Sequence, residues 1–238
     1  MKPMVLLAFL AVECAAQITV IKLPRPMGDA QFDSNSDGVT IIYRDRNWKV
    51  DLSRLPIRPD ECEDAAAREE CARHPGIRCL ACVREWQPVA WDETRKIFYL
   101  AAGTGTAHNR PWIVLSYNLE TRELTRIIDY FGGGFDNKGV VSPLGRYLAY
   151  VEYQVCGVCC TTSGLRIVDL QTRRSESFAP ASKGDDERVL VNGFHWTAPA
   201  TLEYEADLRR ESDCRKDADS KPRRASGRLD VTQMLKQE

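Results

Sequence analysis

Residues 139–173 read GVVSPLGRYLAYVEYQVCGVCCTTSGLRIVDLQTR, and this stretch decides the fold. An apolar pair, Val140-Val141, runs into Ser142-Pro143-Leu144-Gly145, residues that bend the chain or accept a positive φ. A second run follows to Val155, then a cysteine-rich loop, then a third run ending in Val168-Asp169-Leu170. Apolar and polar residues alternate within each run, the period of a half-buried strand.

The same order of parts occurs three more times. The second strand of each copy carries a branched aliphatic residue two places before a tyrosine, at Ile41-Ile42-Tyr43, Ile97-Phe98-Tyr99, Leu148-Ala149-Tyr150 and Leu202-Glu203-Tyr204. The tyrosines are 56, 51 and 54 residues apart, near the longest repeat periods of propeller blades, about 50 residues. Each third strand ends on Asp or Asn between apolar residues: Val50-Asp51-Leu52, Tyr117-Asn118-Leu119, Val168-Asp169-Leu170 and Leu229-Asp230-Val231. Trp91 and Trp196 stand eight residues before their tyrosines and Ser142 takes that place in the third copy, whereas Phe32 lies eleven before Tyr43. Four antiparallel strands per copy make the blade of a β-propeller.

Trp91-Asp92 before a turn, Ile97-Phe98-Tyr99, and a strand closing in Asn118-Leu119-Glu120-Thr121 together resemble the TolB-type β-propeller repeat, a relative of the WD repeat. Ser142-Pro143-Leu144-Gly145 is similar to that family's Ser-Pro-Asp-Gly turn, with Leu144 where Asp is usual. The resemblance runs from Ala30 to Val231 and implies an all-β propeller of about four blades, or a partial propeller, since complete rings of this type usually have more. Such propellers serve as binding platforms, scaffolds and domains of hydrolases, so it defines the fold far better than the function. The expected copies are 30–55, 87–131, 139–179 and 192–235, within one domain spanning 17–238. Strand Ile18-Leu23 is expected to pair into the fourth blade, whose last strand is otherwise missing.

Length and composition agree with one well-cored domain: 238 residues, 43% hydrophobic and 28% charged. A net charge of −1 gives no electrostatic case for nucleic acid or an anionic membrane. Lys2, the apolar run Met4 to Val12 and Cys14-Ala15-Ala16 have the form of a signal peptide cleaved after Ala16, with a run too short to span a membrane. The reading is therefore a secreted or periplasmic protein. Cleavage removes one of nine cysteines and leaves an even set of disulfide candidates, Cys62, Cys71, Cys79, Cys82, Cys156, Cys159, Cys160 and Cys214. Residues 56–86 interrupt the repeats with a short helical, cysteine-rich insertion. In it Asp60 and Glu63 form a capping-box pattern, Asp64 to Ala72 are good helix formers, and His74-Pro75-Gly76 ends the run. Its Cys-x-x-Cys could serve zinc or thiol exchange, but export favours structural disulfides. Asp33 to Gly38 resembles the start of a calcium loop, yet Arg44 stands at the twelfth place where Glu would be needed, so a solvated turn is expected.

The tyrosine-to-Asp/Asn separations are 8, 19, 19 and 26 residues, which puts the extra chain in connections that share one end of the blades. Long loops on a rigid scaffold are where binding residues gather. The candidate binding residues on this loop face are His108, Asn109, Arg110, Asp136, Asn137 and Lys138, within loops 103–110, 132–138 and 154–163. The glycine clusters 103–105 and 132–134 open no helix, so a phosphate cradle is not indicated. His74 sits at a helix end, His195 is expected as a hydrogen-bonded core residue of an innermost strand, and Lys221 to Arg224 as a solvated loop. No nucleophile or zinc motif occurs, and no catalytic residue, metal site or cofactor is assigned. The expectation is a disulfide-braced binding or scaffold protein with a protein or glycan partner, no nucleic acid and no membrane span. A partial propeller would give it reason to assemble as a homo-oligomer. The alternative is a propeller-fold hydrolase acting on glycans or peptides, with His108 or His195 near a central channel.

Overall fold

The structure, a computed structural model, describes residues 25–27, 30–35, 38–52, 55, 57–73, 82–105, 107–136, 138–155, 161–180, 187–210 and 222–236. It is mostly β. The first sheet runs β1 (Arg25–Met27), β2 (Ala30–Asn35), β3 (Gly38–Tyr43) and β4 (Arg46–Lys49) in spatial order. After a one-turn 3-10 helix (Pro59–Glu61) and α1 (Ala65–Arg73), the second sheet follows as β5 (Glu85–Asp92), β6 (Ile97–Gly103), β7 (Arg110–Asn118) and β8 (Leu124–Gly132). The third takes β10 (Val140–Val141), β11 (Tyr147–Val155), β12 (Thr161–Asp169) and β13 (Ser175–Phe178), with β9 (Gly134–Phe135) also paired to β11. The fourth has three strands, β14 (Glu187–Ala198), β15 (Thr201–Arg210) and β16 (Arg223–Asp230), then α2 (Val231–Met234). All strand pairings within the sheets are antiparallel.

The repeated Asp/Asn has a physical role. Asn118 Oδ1 accepts from the backbone N–H groups of Glu120 and Thr121, Asp169 Oδ1 from those of Gln171 and Thr172, and Asp230 Oδ1 from those of Thr232 and Gln233. A short side-chain acceptor thus closes the chain on itself where the strand must turn. The fifth residue of the first two turns has a left-handed backbone, Arg122 at φ 60° and Arg173 at φ 61°. The residue directly after each Asp/Asn fastens its turn to its own sheet: Leu119 N donates to Lys96 O, Leu170 N to Arg146 O and Val231 N to Ala200 O.

Those bonds fix the true register of the repeat, and it differs from the one expected from tyrosines. Ile97 faces Asn118, Tyr147 faces Asp169 and Thr201 faces Asp230. Counting on from there, Tyr150 and Tyr204 correspond to Leu100, not to Tyr99. Ser142 likewise corresponds to Asp92, not Trp91; both are buried and both cap their turn, Asp92 accepting from Arg95 N and Ser142 Oγ from Tyr147 N. Because strand side chains alternate, a slip of one residue reverses the face. Tyr99 therefore looks toward the third sheet while Leu100 looks toward the first.

Each inner sheet is buried on both faces. Phe32, Ile41 and Tyr43 of the first pack on Phe98, Leu100 and Leu115 of the second, with Phe32 and Phe98 stacked at 5.7 Å. Tyr99, Trp112 and Val114 of the second meet Phe135, Leu148 and Tyr150 of the third. Leu165 and Ile167 of the third meet Val191, Leu202 and Leu208 of the fourth. Polar clasps reinforce the stack. Tyr43 of the first sheet donates to Glu93 of the second at 2.5 Å, and Lys96 donates to both. Gly139 N donates to Val89 O between second and third, and Trp196 Nε1 to Val140 O between third and fourth. The two end faces are different. Outward residues of the fourth sheet include His195, Glu203, Glu205, Asp207, Arg224 and Arg228, and those of the first include Gln31, Thr40, Asn47 and Lys49. Among the described residues no buried cluster joins fourth sheet to first.

Several local expectations change. Asp64, not Asp60, caps α1, its Oδ1 accepting from Ala67 N at 2.9 Å, because Asp60 lies inside the preceding 3-10 turn. Arg223 and Arg224 belong to β16 rather than a loop. His195 is exposed, since its strand position points outward from the last sheet. Asp33 to Gly38 is the hairpin between β2 and β3, with Gly38 at φ +126°. The signal segment, Ile18 to Leu23, His74, and Cys14, Cys79, Cys156, Cys159, Cys160 and Cys214 lie outside the described residues. No helix among those described is long and apolar enough to cross a membrane.

Candidate binding site

Loops 104–109 and 133–138 meet at one end of the second and third sheets. Asn109 binds the end of β11 with both ends of its amide, Nδ2 donating to Val155 O at 2.7 Å and Oδ1 accepting from Val155 N at 2.9 Å. That is a side chain imitating a strand neighbour. Arg110 pairs with Glu85 at 3.1 Å over the Trp112 ring, and Gln87 bridges Glu85 to the backbone N–H of Phe135. Asp136 is half-buried beside Lys138 at 3.6 Å, while His108 and Lys138 stand exposed. Asn137 lies outside the described residues. The structure thus brings together the loops that sequence selected, but Asn109 and Arg110 are occupied in holding them there. Behind them Glu152, buried in the second interface, accepts from Arg166 at 2.8 Å and from the Ser177 hydroxyl, with Arg166 over the Tyr130 ring. This too is a structural ion pair.

The usable concavity is beside this end, between the insertion and strands β7–β8. It is a cleft of about 630 Å³ walled by Arg58, Glu61, Cys62 and Arg68 on one side and by Thr104, Pro111, Asp129, Tyr130 and Phe131 on the other. The insertion is held to the second sheet by a charged clip. Arg126 of β8 donates to both Glu61 oxygens, at 3.0 and 2.6 Å, and Arg58 reaches the same carboxylate through its guanidinium and its backbone N–H. Burial works to raise the Glu61 carboxyl, but the hydrogen bonds from Arg126 and Arg58 overcome it and hold the pKa at about 2. Hydrogen bonding to Glu61 likewise raises Arg126. A disulfide joins Cys62 to Cys82, 20 residues on, and Cys71 is disulfide-bonded as well. The three sulfurs lie within 4.8 Å of one another, close enough to share a soft metal, yet oxidised sulfur offers no thiolate to one.

Two features of the cleft concern a ligand. Phe131 is 63% exposed on its rim, a large apolar side chain left in water. Thr104 is 1% exposed in its wall, and its hydroxyl has no hydrogen-bond partner among the described residues. Sequence reading missed this site because Glu61 and Arg126 are 65 residues apart and only the fold brings them together. A second surface, the outward face of the fourth sheet, has shallow depressions of about 620 and 380 Å³. There Glu203 accepts from Arg228 at 2.9 Å with His195 at 3.6 Å, all three open to solvent.

No family model and no curated protein matches the chain. Among solved structures it is similar to the hydrazine synthase of Kuenenia stuttgartiensis, at 14% identity and a TM-score of 0.35, over 78% of this chain and 62% of that one. It is also similar to the tricorn protease, at 13% identity and a TM-score of 0.28, over 76% of this chain and 18% of that one. The chain therefore spans less than two thirds of either protein, and likeness at this level fixes neither its site nor its function.

Proposed function

We propose that this chain is a disulfide-braced, partial β-propeller of the TolB-type, WD-like class, exported to an oxidising compartment, that binds a protein partner in the cleft between insertion and β7–β8. Four antiparallel modules in chain order, each packed face to face on the next, support the propeller reading. The polar end faces act as caps on the array, as in other repeat proteins. The disulfide supports the compartment. The observation that carries the binding role is the cleft itself, with an exposed aromatic on the rim and, in the wall, a buried hydroxyl that has no partner among the described residues.

The test is selection of a phage-displayed library of random linear peptides on the oxidised protein, with Phe131→Ala as counter-target. Truncating an exposed side chain leaves the melting temperature unchanged, so lost binding is not lost folding. The proposal expects peptides that bind the native protein at least about tenfold more tightly than the variant, the loss of one interface anchor. Peptides that bind both equally, or none at all, would overturn it.

A further inference from the structure

The cleft has a backbone wall as well as a side-chain one. Strand β7 offers alternate residues to its two neighbours. Thr104 N donates to Pro111 O at 3.0 Å on the β6 side, so Pro111 and Ile113 turn their backbone groups toward β6. Arg110 and Trp112 then serve β8, where their partners in register are Gly132 and Tyr130. Asp129 and Phe131, opposite Ile113 and Pro111, direct their N–H and C=O groups away from β7, into the cleft and to an edge of the sheet that has no partner strand among the described residues. Among the described residues no turn or loop hydrogen bond reaches those groups.

An open edge invites another strand, and proteins guard such edges with charge, shortness or cover. The other outer strands of this chain are guarded. β4 and β13 have four residues each, and β16 carries Arg223, Arg224 and Arg228. β8 is nine residues long and rich in apolar side chains, and its two charges, Arg126 and Asp129, are tied to each other at 2.6 Å. Among the described residues it is the unguarded edge, and the described part of the insertion roofs a slot alongside it.

We infer that the partner enters as an extended segment that pairs with β8 at Asp129 and Phe131, adding a strand to the second sheet, with an apolar side chain seated against Phe131. This rests on the cleft being the binding site. Main-chain hydrogen bonds supply affinity in this mode, and alternate side chains supply specificity. Ligand N–H groups facing β8 alternate with N–H groups facing away.

The experiment is an N-methyl scan of a Phe131-dependent peptide from the selection, with each backbone N–H methylated in turn and affinity measured by fluorescence anisotropy on the oxidised protein. Strand addition predicts losses of about tenfold at alternate positions and little change between them, since each methyl removes a hydrogen bond and blocks the edge. A flat or irregular profile overturns the strand mode while leaving the cleft as the binding site. If no peptide depends on Phe131, the binding site itself is wrong and the strand mode falls with it. Sedimentation of the protein alone covers the remaining occupant: a dimer dissolved by Phe131→Ala would assign the edge to a second copy and overturn a separate partner.

Discussion

Replacing Glu61 with Gln opens the clip that holds the insertion against β8, and its cost can be worked from the site. The carboxyl is held at about 2 against an ordinary 4.5, and at about 1.4 kcal/mol per unit that amounts to about 3 kcal/mol of stability at neutral pH. The Glu61 side chain is 14% exposed, but its Arg58 partner is 68% exposed at the surface, so solvent screening takes a share of this. Gln keeps the shape and one acceptor, which puts the expected loss at about 2–3 kcal/mol. The sign follows from a folded pKa lying below the unfolded one. The stabilisation is complete above the unfolded value of 4.5 and is lost as pH falls toward 2. Urea unfolding of native and Glu61→Gln proteins, followed by tryptophan fluorescence, should therefore show a gap of about 2–3 kcal/mol near pH 7 that closes on acidification. A gap that stays constant down to the lowest pH, or no gap at neutrality, would refute the clip.

Asp169→Ala removes the acceptor for two backbone N–H groups and for Arg146 and should cost about 1–3 kcal/mol in chemical denaturation. Gly139→Ala places a Cβ against Val89 O and 3.0 Å from Ala90 Cβ, at the junction of second and third sheets, and should cost about 1–3 kcal/mol by the same assay. Removing the Cys62–Cys82 bond with paired serines frees a 20-residue separation and should lower stability by about 3 kcal/mol, read as a lower urea midpoint.

The periodicity of apolar residues and the Asp/Asn at each third-strand end were legible, because both are local: alternation needs only neighbouring residues, and an Asx turn closes within three. The helix at Ala65–Arg73 was legible for the same reason. The register offset at Tyr99 was hidden. The β6–β7 and β11–β12 hairpins divide the same 19-residue tyrosine-to-Asp/Asn interval differently between strand and loop, so equal spacing concealed unequal pairing. His195 was misread because inner-strand position implies burial only where another sheet covers the face, and among the described residues none covers the outward face of the fourth. Of the site, the sequence indicated the loops around Asn109 and Asp136, but not the cleft, which depends on Glu61 meeting Arg126 across the fold.

Amide hydrogen exchange with and without a bound selected peptide compares the three surfaces directly. Occupation of the cleft predicts slowed exchange in 58–63 and 126–132 and unchanged exchange in 193–205 and 223–228. Protection confined to the fourth sheet's outward face, or to the loops holding His108 and Lys138, would contradict it.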